Sequence, residues 1–202
     1  MKSTSGLDSE RTLVPLPNRQ SIVVPDSWSP DGKSLVVHVI SGAVEPSRLF
    51  LVNVGEPKLA RLLATNSNES TGQISPDGKW LAYASDESGE WNVYVTTFPG
   101  AAGKWQVSVD GGTEPRWRGD GKELFYLDAK NTLTAIAVEG GSTFASGPPQ
   151  PLFRVRGRAP ISNTDVYSYD VTKDGMRFIV NKYVKPSSVP PLDIFLNATA
   201  PQ

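Results

Sequence analysis

The chain predicts an all-β fold: a β-propeller of about four blades, each a four-stranded antiparallel sheet, forming part of a larger ring. Three observations carry this expectation. An Asp-Gly turn recurs at Ser29-Pro30-Asp31-Gly32-Lys33, Ser75-Pro76-Asp77-Gly78-Lys79, Arg118-Gly119-Asp120-Gly121-Lys122 and Thr172-Lys173-Asp174-Gly175-Met176. Its aspartates lie 46, 43 and 54 residues apart, and a period of about 45 residues is that of propeller blades. Gly at 18 and Pro at 17 among 202 residues suit many short strands joined by tight turns.

In chain order, residues 1–10 are expected to be disordered and residues 11–197 to form the propeller segment. Arg11-Thr12-Leu13-Val14-Pro15-Leu16 takes the place of an outer strand whose own blade is absent. The first blade, 26–63, enters its turn at Asp26-Ser27-Trp28 and continues through 34–39, 48–52 and 60–63. The second, 73–109, runs from Gln73-Ile74-Ser75 through the turn to 80–84. The hairpin Asp86-Glu87-Ser88-Gly89-Glu90 then leads into 91–98, and 104–109 alternates polar and apolar residues as a half-buried strand should. The third blade, 115–153, repeats the plan with 123–127, 133–138 and an outer strand at 151–153. The fourth, 166–197, offers 166–171, 177–181 and 193–196 and lacks its fourth strand; 198–202 is a tail.

At each turn Pro, where present, presets φ at the second position. Gly32, Gly78, Gly121 and Gly175 take φ > 0 at the last, the chemistry of a type I turn closed by a bulge. Asp31, Asp77, Asp120 and Asp174 are expected to cap backbone amides locally. Two closures remain open: four blades sealed by residues 11–16 beside Ile194, or an arc of a larger ring. The arc is expected because most propellers of this repeat type have more blades, and its bare end faces predict self-association or binding of the missing blades.

Composition narrows the function classes. Lys+Arg at 20 against Asp+Glu at 21 leaves a net charge of −1, so no global field draws the chain to nucleic acid or to an anionic membrane. Cysteine is absent, which excludes disulfides and thiolate metal sites. The longest apolar run, 35–40, falls far short of the roughly 18 to 20 residues of a membrane span. The first residues lack the apolar core of a secretory signal, so Met1 reads as a start partway through a longer architecture.

The residues that could carry chemistry are few. A serine hydrolase needs a nucleophile on a sharp elbow and a histidine base. No Gly-x-Ser-x-Gly occurs, and the single histidine, His38, lies in an apolar strand where a packed or surface imidazole is expected. Asp86, Glu87 and Glu90 lack calcium-loop spacing and read as solvated loop carboxylates rather than as a metal site or a glycosidase pair. No phosphate-binding loop aligns on Gly32, Gly78, Gly103 or Gly121. Arg154, Arg156 and Arg158 alternate as a solvated strand end does. Asn68-Glu69-Ser70 and Asn197-Ala198-Thr199 match the glycosylation sequon, which matters only in a eukaryotic secretory pathway. No cofactor is expected.

Trp28-Ser29-Pro30-Asp31-Gly32-Lys33 resembles the blade core of TolB-type, WD-repeat-like propellers. Residues 75–83, Tyr94 with Phe98-Pro99-Gly100, 112–126 and Pro151-Leu152-Phe153 look like the C-terminal sensor propellers of bacterial receptor-type Ser/Thr protein kinases. The resemblance covers about residues 11–197 and implies a non-catalytic, extracytoplasmic sensor-like module. No Gly-x-Gly-x-x-Gly, Val-Ala-Ile-Lys, His-Arg-Asp or Asp-Phe-Gly is present, so phosphoryl transfer is not assigned to this chain.

The expected function is therefore a scaffold whose rigid blades hold irregular loops on one rim for a protein or peptide, or for a small ligand. Its candidate rim residues are Glu45, Asp86, Glu87, Glu90, Asp110, Glu114 and Asp128. The alternative is an accessory propeller of a larger Ser/Thr protein kinase or prolyl-oligopeptidase-like peptidase.

Overall fold

The computed structural model describes residues 12–14, 21–42, 45–56, 58–139, 141–155 and 167–181, and no helix occurs among them. They form four antiparallel sheets in chain order. The first joins β1 (Ile22–Trp28), β2 (Ser34–Ile40), β3 (Arg48–Asn53) and β4 (Leu59–Arg61). The second joins β5 (Glu69–Ile74), β6 (Trp80–Ser85), β7 (Asn92–Thr97) and β8 (Trp105–Gln106). In the third, β9 (Thr113–Trp117), β10 (Glu123–Leu127) and β11 (Thr132–Glu139) lie side by side. Both β12 (Ala145–Ser146) and β13 (Gln150–Arg154) then pair with β11. The fourth pairs β14 (Tyr169–Val171) with β15 (Phe178–Val180).

These sheets differ from the expected blades at their starts, in the third sheet's strand number and at the N-terminal segment. The first three start four, four and two residues earlier than 26, 73 and 115, because polar or irregular residues such as Glu69 and Ser70 join the inner strand. The third sheet has an additional short strand, β12. Leu13 and Val14 form no strand; they pack as a bend on the first sheet's free face, beside Leu35, Val37 and Val39. Residues 1–11, 15 and 16, Arg156, Arg158, 182–197 with its expected third strand, and the tail lie outside the described residues.

Each turn between the first two strands of a sheet is built alike. Gly32 N donates to Ser29 O at 2.9 Å, closing a type I turn, and Ser29 N donates to Ser34 O at 2.8 Å. Gly32 stands at φ 69°, and Gly78, Gly121 and Gly175 stand at 72°, 73° and 74°. Ser29 Oγ donates to Asp31 Oδ1 at 2.6 Å, and the same carboxylate oxygen accepts Lys33 N at 3.1 Å. Ser75 with Asp77 and Thr172 with Asp174 repeat the device. The third turn has no hydroxyl there. Arg118 instead donates to both Asp120 oxygens at 2.7 and 2.8 Å, and this contact, then the Lys122 amide, holds the Asp120 carboxyl down at about 2.

The sheets pack face to face. Val36 and Leu49 of the first meet Leu81 and Tyr83 of the second. From the other face of the second, Trp80, Ala82, Val93 and Val95 meet Leu124, Tyr126, Ile136 and Val138 of the third. Phe125, Leu127, Leu133 and Ala135 meet Tyr169, Phe178 and Val180 of the fourth. The second sheet is apolar on both sides, and β5 and β6 are buried at every residue. Trp80 makes edge contacts with Trp105 at 5.6 Å and with Phe144 of the third sheet at 5.5 Å, so aromatic packing adds to area burial at that joint.

Along the inner edge the joints are polar. Each of β1, β5 and β9 carries one extra residue against its partner strand, and Thr71 and Glu114 in these bulges stand at φ 53° and 54°. Bulges re-aim side chains. Four residues ahead of each turn aspartate, Ser27, Gln73, Arg116 and Asp170 occupy the same ladder position and reach neighbouring sheets. Ser27 Oγ accepts Ile74 N at 3.0 Å, Gln73 O accepts Trp117 Nε1 at 3.0 Å, and Arg116 Nε lies 3.6 Å from Asp170 Oδ1. Near one end of this edge Glu69 is fully buried and its Oε2 accepts Leu49 N from the first sheet at 3.0 Å. Burial outweighs this bond, that from Thr65 and the nearby Arg61 and Arg48, and raises its carboxyl above the usual 4.5.

Two outcomes follow for stability. Gly78→Val places a β-branched residue at φ 72° and is expected to cost at least about 1 kcal/mol; an unchanged denaturation midpoint would rule out the left-handed turn. A carboxyl whose folded pKa is raised contributes stability in acid that is lost as pH rises through the folded value. The Tm of the wild type minus that of Glu69→Gln is therefore expected to be largest at or below pH 4.5 and to shrink as the pH rises above it. A difference that grows with pH in thermal melts would show the opposite shift.

Candidate interaction rim

Antiparallel order alternates the connections between the two ends of each sheet. The Asp-Gly turns lie at one end; the loops 41–47, 86–91 and 128–131, with the entries to β5 and β9, lie at the other. The expected rim residues belong to this second end, but their side chains do different jobs. Glu45 is exposed in the first loop. Asp86 is a structural cap: it accepts Asn68 N at 2.8 Å and Asn68 Nδ2 at 2.6 Å, while Asn68 Oδ1 accepts Ser47 N at 3.0 Å. This also commits the sequon asparagine to loop packing. Glu87 pairs with Lys104 at 2.8 Å.

Glu114 departs most from its expected place. It is buried, not exposed on a rim loop, because the bulge turns it inward. There it accepts Ser168 N at 2.6 Å and the Ser168 hydroxyl at 2.9 Å, and its backbone oxygen accepts the Tyr169 hydroxyl at 2.8 Å. It is a strut between the third and fourth sheets.

Glu90 and Asp128, with Asp110 in the adjoining exposed loop, remain at the surface around a cleft of about 420 Å³ between the second and third sheets. Its walls include Glu90, Trp91, Thr113, Leu127, Asp128 and Ala129. Two glycines allow the loops to meet. A Cβ on Gly111 would come 3.0 Å from Ala129 Cβ, and one on Gly112 would come 2.7 Å from Ser108 Cβ. Gly112 N donates to Trp91 O at 2.8 Å, tying two of the walls together. Asp128 shapes the third loop by accepting Lys130 N at 2.8 Å and Thr132 N at 2.7 Å through one oxygen. Burial, then the Asp128 and Asp110 carboxylates, pushes the hydroxyl of Tyr126 up to about 12.

Two other groupings were not evident in the sequence. His38 is buried with its Nδ1 2.9 Å from Asp26 Oδ1. Asp26 is the bulged residue of β1, placed there by the register shift between Pro25 and Ser27; burial raises its carboxyl despite the bond to His38. Gln73 Nε2 donates to the Tyr167 hydroxyl at 2.7 Å, and the Arg116 guanidinium lies over the Tyr167 ring at 3.4 Å. A second cleft, of about 500 Å³, opens at the opposite end between Pro30, Leu51 and Phe98. Its Asp31 is committed to its own turn. Among the described residues no group of three or more His, Cys, Asp or Glu could hold a metal ion, and no helix is long and apolar enough to cross a membrane.

Comparison with known proteins agrees with this architecture. A TolB homolog of Chlamydia muridarum is 29% identical over 91 residues, which are 45% of this chain and 21% of that protein. The chain thus spans about a fifth of the length of the curated relatives it matches. Among solved structures, a TolB-like protein of Agrobacterium tumefaciens superposes with a TM-score of 0.53 at 17% identity, over 64% of this chain and 50% of that one. A puromycin-hydrolyzing peptidase of Mycobacterium tuberculosis superposes with a TM-score of 0.57 at 18% identity, over 81% of this chain and 29% of that one. These likenesses concern the fold. The family described as the TolB beta propeller domain matches residues 8–145, more than half of the sequence, and the chain belongs to that family.

Proposed function

We propose that this chain is a non-catalytic propeller module that presents the rim cleft between its second and third sheets to a protein or peptide partner. One observation supports this above the others: loops from two separate sheets converge on a single cleft, held open by Gly111 and Gly112 and walled by Trp91, Glu90 and Asp128. A cleft of this volume lies within the roughly 300–1,000 Å³ of ligand sites. The carboxylates with internal partners, Asp86, Glu87 and Glu114, act as loop and sheet supports.

An extracytoplasmic location, and a place beside the catalytic part of a larger kinase or peptidase, rest on the blade motifs quoted from the sequence. A kinase or α/β-hydrolase segment encoded directly upstream would select that second reading. Association with further blades or with a second copy is favoured by Met176 and Ile179, which are 78% and 73% exposed. Light scattering over a concentration series is expected to show growth in mass; a compact monomer throughout would remove that expectation.

Peptides selected from a random library against the chain test the main reading. They are expected to lose at least about tenfold in affinity on Ala129→Trp, which fills the cleft from an exposed position. Selected peptides that bind the variant equally would exclude the cleft. Turnover of peptide, ester or glycoside substrates that survives His38→Ala would exclude the non-catalytic assignment.

A further inference from the structure

The rim cleft is chemically one-sided in a way that identifies its guest. This inference rests on the reading of that cleft as the partner site. Glu90 is exposed, and its carboxylate has no hydrogen-bond or ion-pair partner among the described residues. Asp128 spends one oxygen, Oδ1, on its own loop and leaves Oδ2 available. Asp110 stands exposed next to Gly111 on the adjoining loop. No Lys or Arg lines the cleft. Lys104 is held by Glu87 at 2.8 Å, and Lys130, which follows Ala129, is exposed and does not line the cleft. Between the carboxylates the walls are apolar: half-buried Trp91, buried Leu127 and exposed Ala129.

A guest for such a site needs positive charge at one end and an apolar, preferably planar, body. An anion would meet two carboxylates and no cation, and a neutral polyol would leave both carboxylate charges unmatched. A lysine ammonium satisfies the charge, but it is compact and strongly hydrated. A guanidinium is flat, less hydrated, able to face an indole, and able to donate to two carboxylates at once, while its methylene stem lies along apolar walls. We infer that the cleft between the second and third sheets is an arginine-recognition subsite, in which Glu90 and Asp128 hold the guanidinium of a partner peptide against Trp91.

The test is a ¹⁵N NMR titration of the whole chain with the peptide acetyl-Gly-Arg-Gly-amide and with its citrulline counterpart, which keeps shape and removes charge. Saturable shifts are expected at the Trp91 indole and at the Gly111 and Gly112 amides with arginine, with citrulline at least about tenfold weaker. Raising the salt to about 0.5 M is expected to weaken binding several-fold, as screening requires. Glu90→Gln and Asp128→Asn should each weaken it by at least about threefold; asparagine keeps the acceptor oxygen that Lys130 N and Thr132 N use, so the loop is preserved. Equal binding of citrulline, indifference to both variants, or shifts scattered away from the cleft would overturn the inference. The library experiment separates the two levels: cleft-dependent peptides without arginine defeat this inference and leave the scaffold reading standing. Selected peptides that all ignore Ala129→Trp defeat both.

Discussion

Everything in this molecule depends on sheets that are apolar on both faces. Such a sheet cannot stand alone in water, and the second one shows why: Leu81 and Tyr83 project to one neighbour while Trp80 and Ala82 project to the other. Burial on both sides leaves no water for the backbone, so polar groups must be paired within the sheet or across the joint. Ser27, Gln73, Trp117 and Glu69 make those cross-joint bonds. Apolar packing therefore brings the blades together, and a thin line of hydrogen bonds along the inner edge sets how they align.

The same constraint decides where function can reside. Inner strands and sheet faces are committed to packing, and each Asp-Gly aspartate spends an oxygen on its own turn. At the opposite ends Glu90 and Asp110 have no carboxylate partner among the described residues, and there loops from adjacent sheets come close enough to form a wall on each side of a space. A guest at that position touches two blades at once, so its affinity reports on their relative placement.

Much of the architecture was legible because the turn chemistry is local. Gly32, Gly78, Gly121 and Gly175 each sit beside an aspartate that caps the amide of the residue following the glycine, and their spacing announces the repeat. The polar residue four positions before each aspartate acquires its meaning, a link to the next blade, only once the sheets are adjacent. The bulges left no comparable mark. Nothing in the residues around Glu114 or Asp26 signals an extra residue in the strand, so a surface carboxylate was expected where a buried strut stands, and the partner of His38 was missed. The cleft was half legible: its loops were named from the blade plan, whereas the Gly111-Gly112 pair that lets them approach reads in sequence as one more turn.

The inner-edge bonds have a consequence for how such chains change over generations. Ser27 and Glu69 each reach only the adjacent sheet, so coupling is mainly between nearest neighbours, with the bond from Gln73 to Tyr167 as a longer cross-brace. In an array of that kind stability accumulates roughly unit by unit. A gene duplication that adds a blade, or a deletion that removes one, need only present a matching pair of faces at the new junction. The cleft belongs to one such junction, so a shuffled lineage could carry its recognition surface intact into rings of different size.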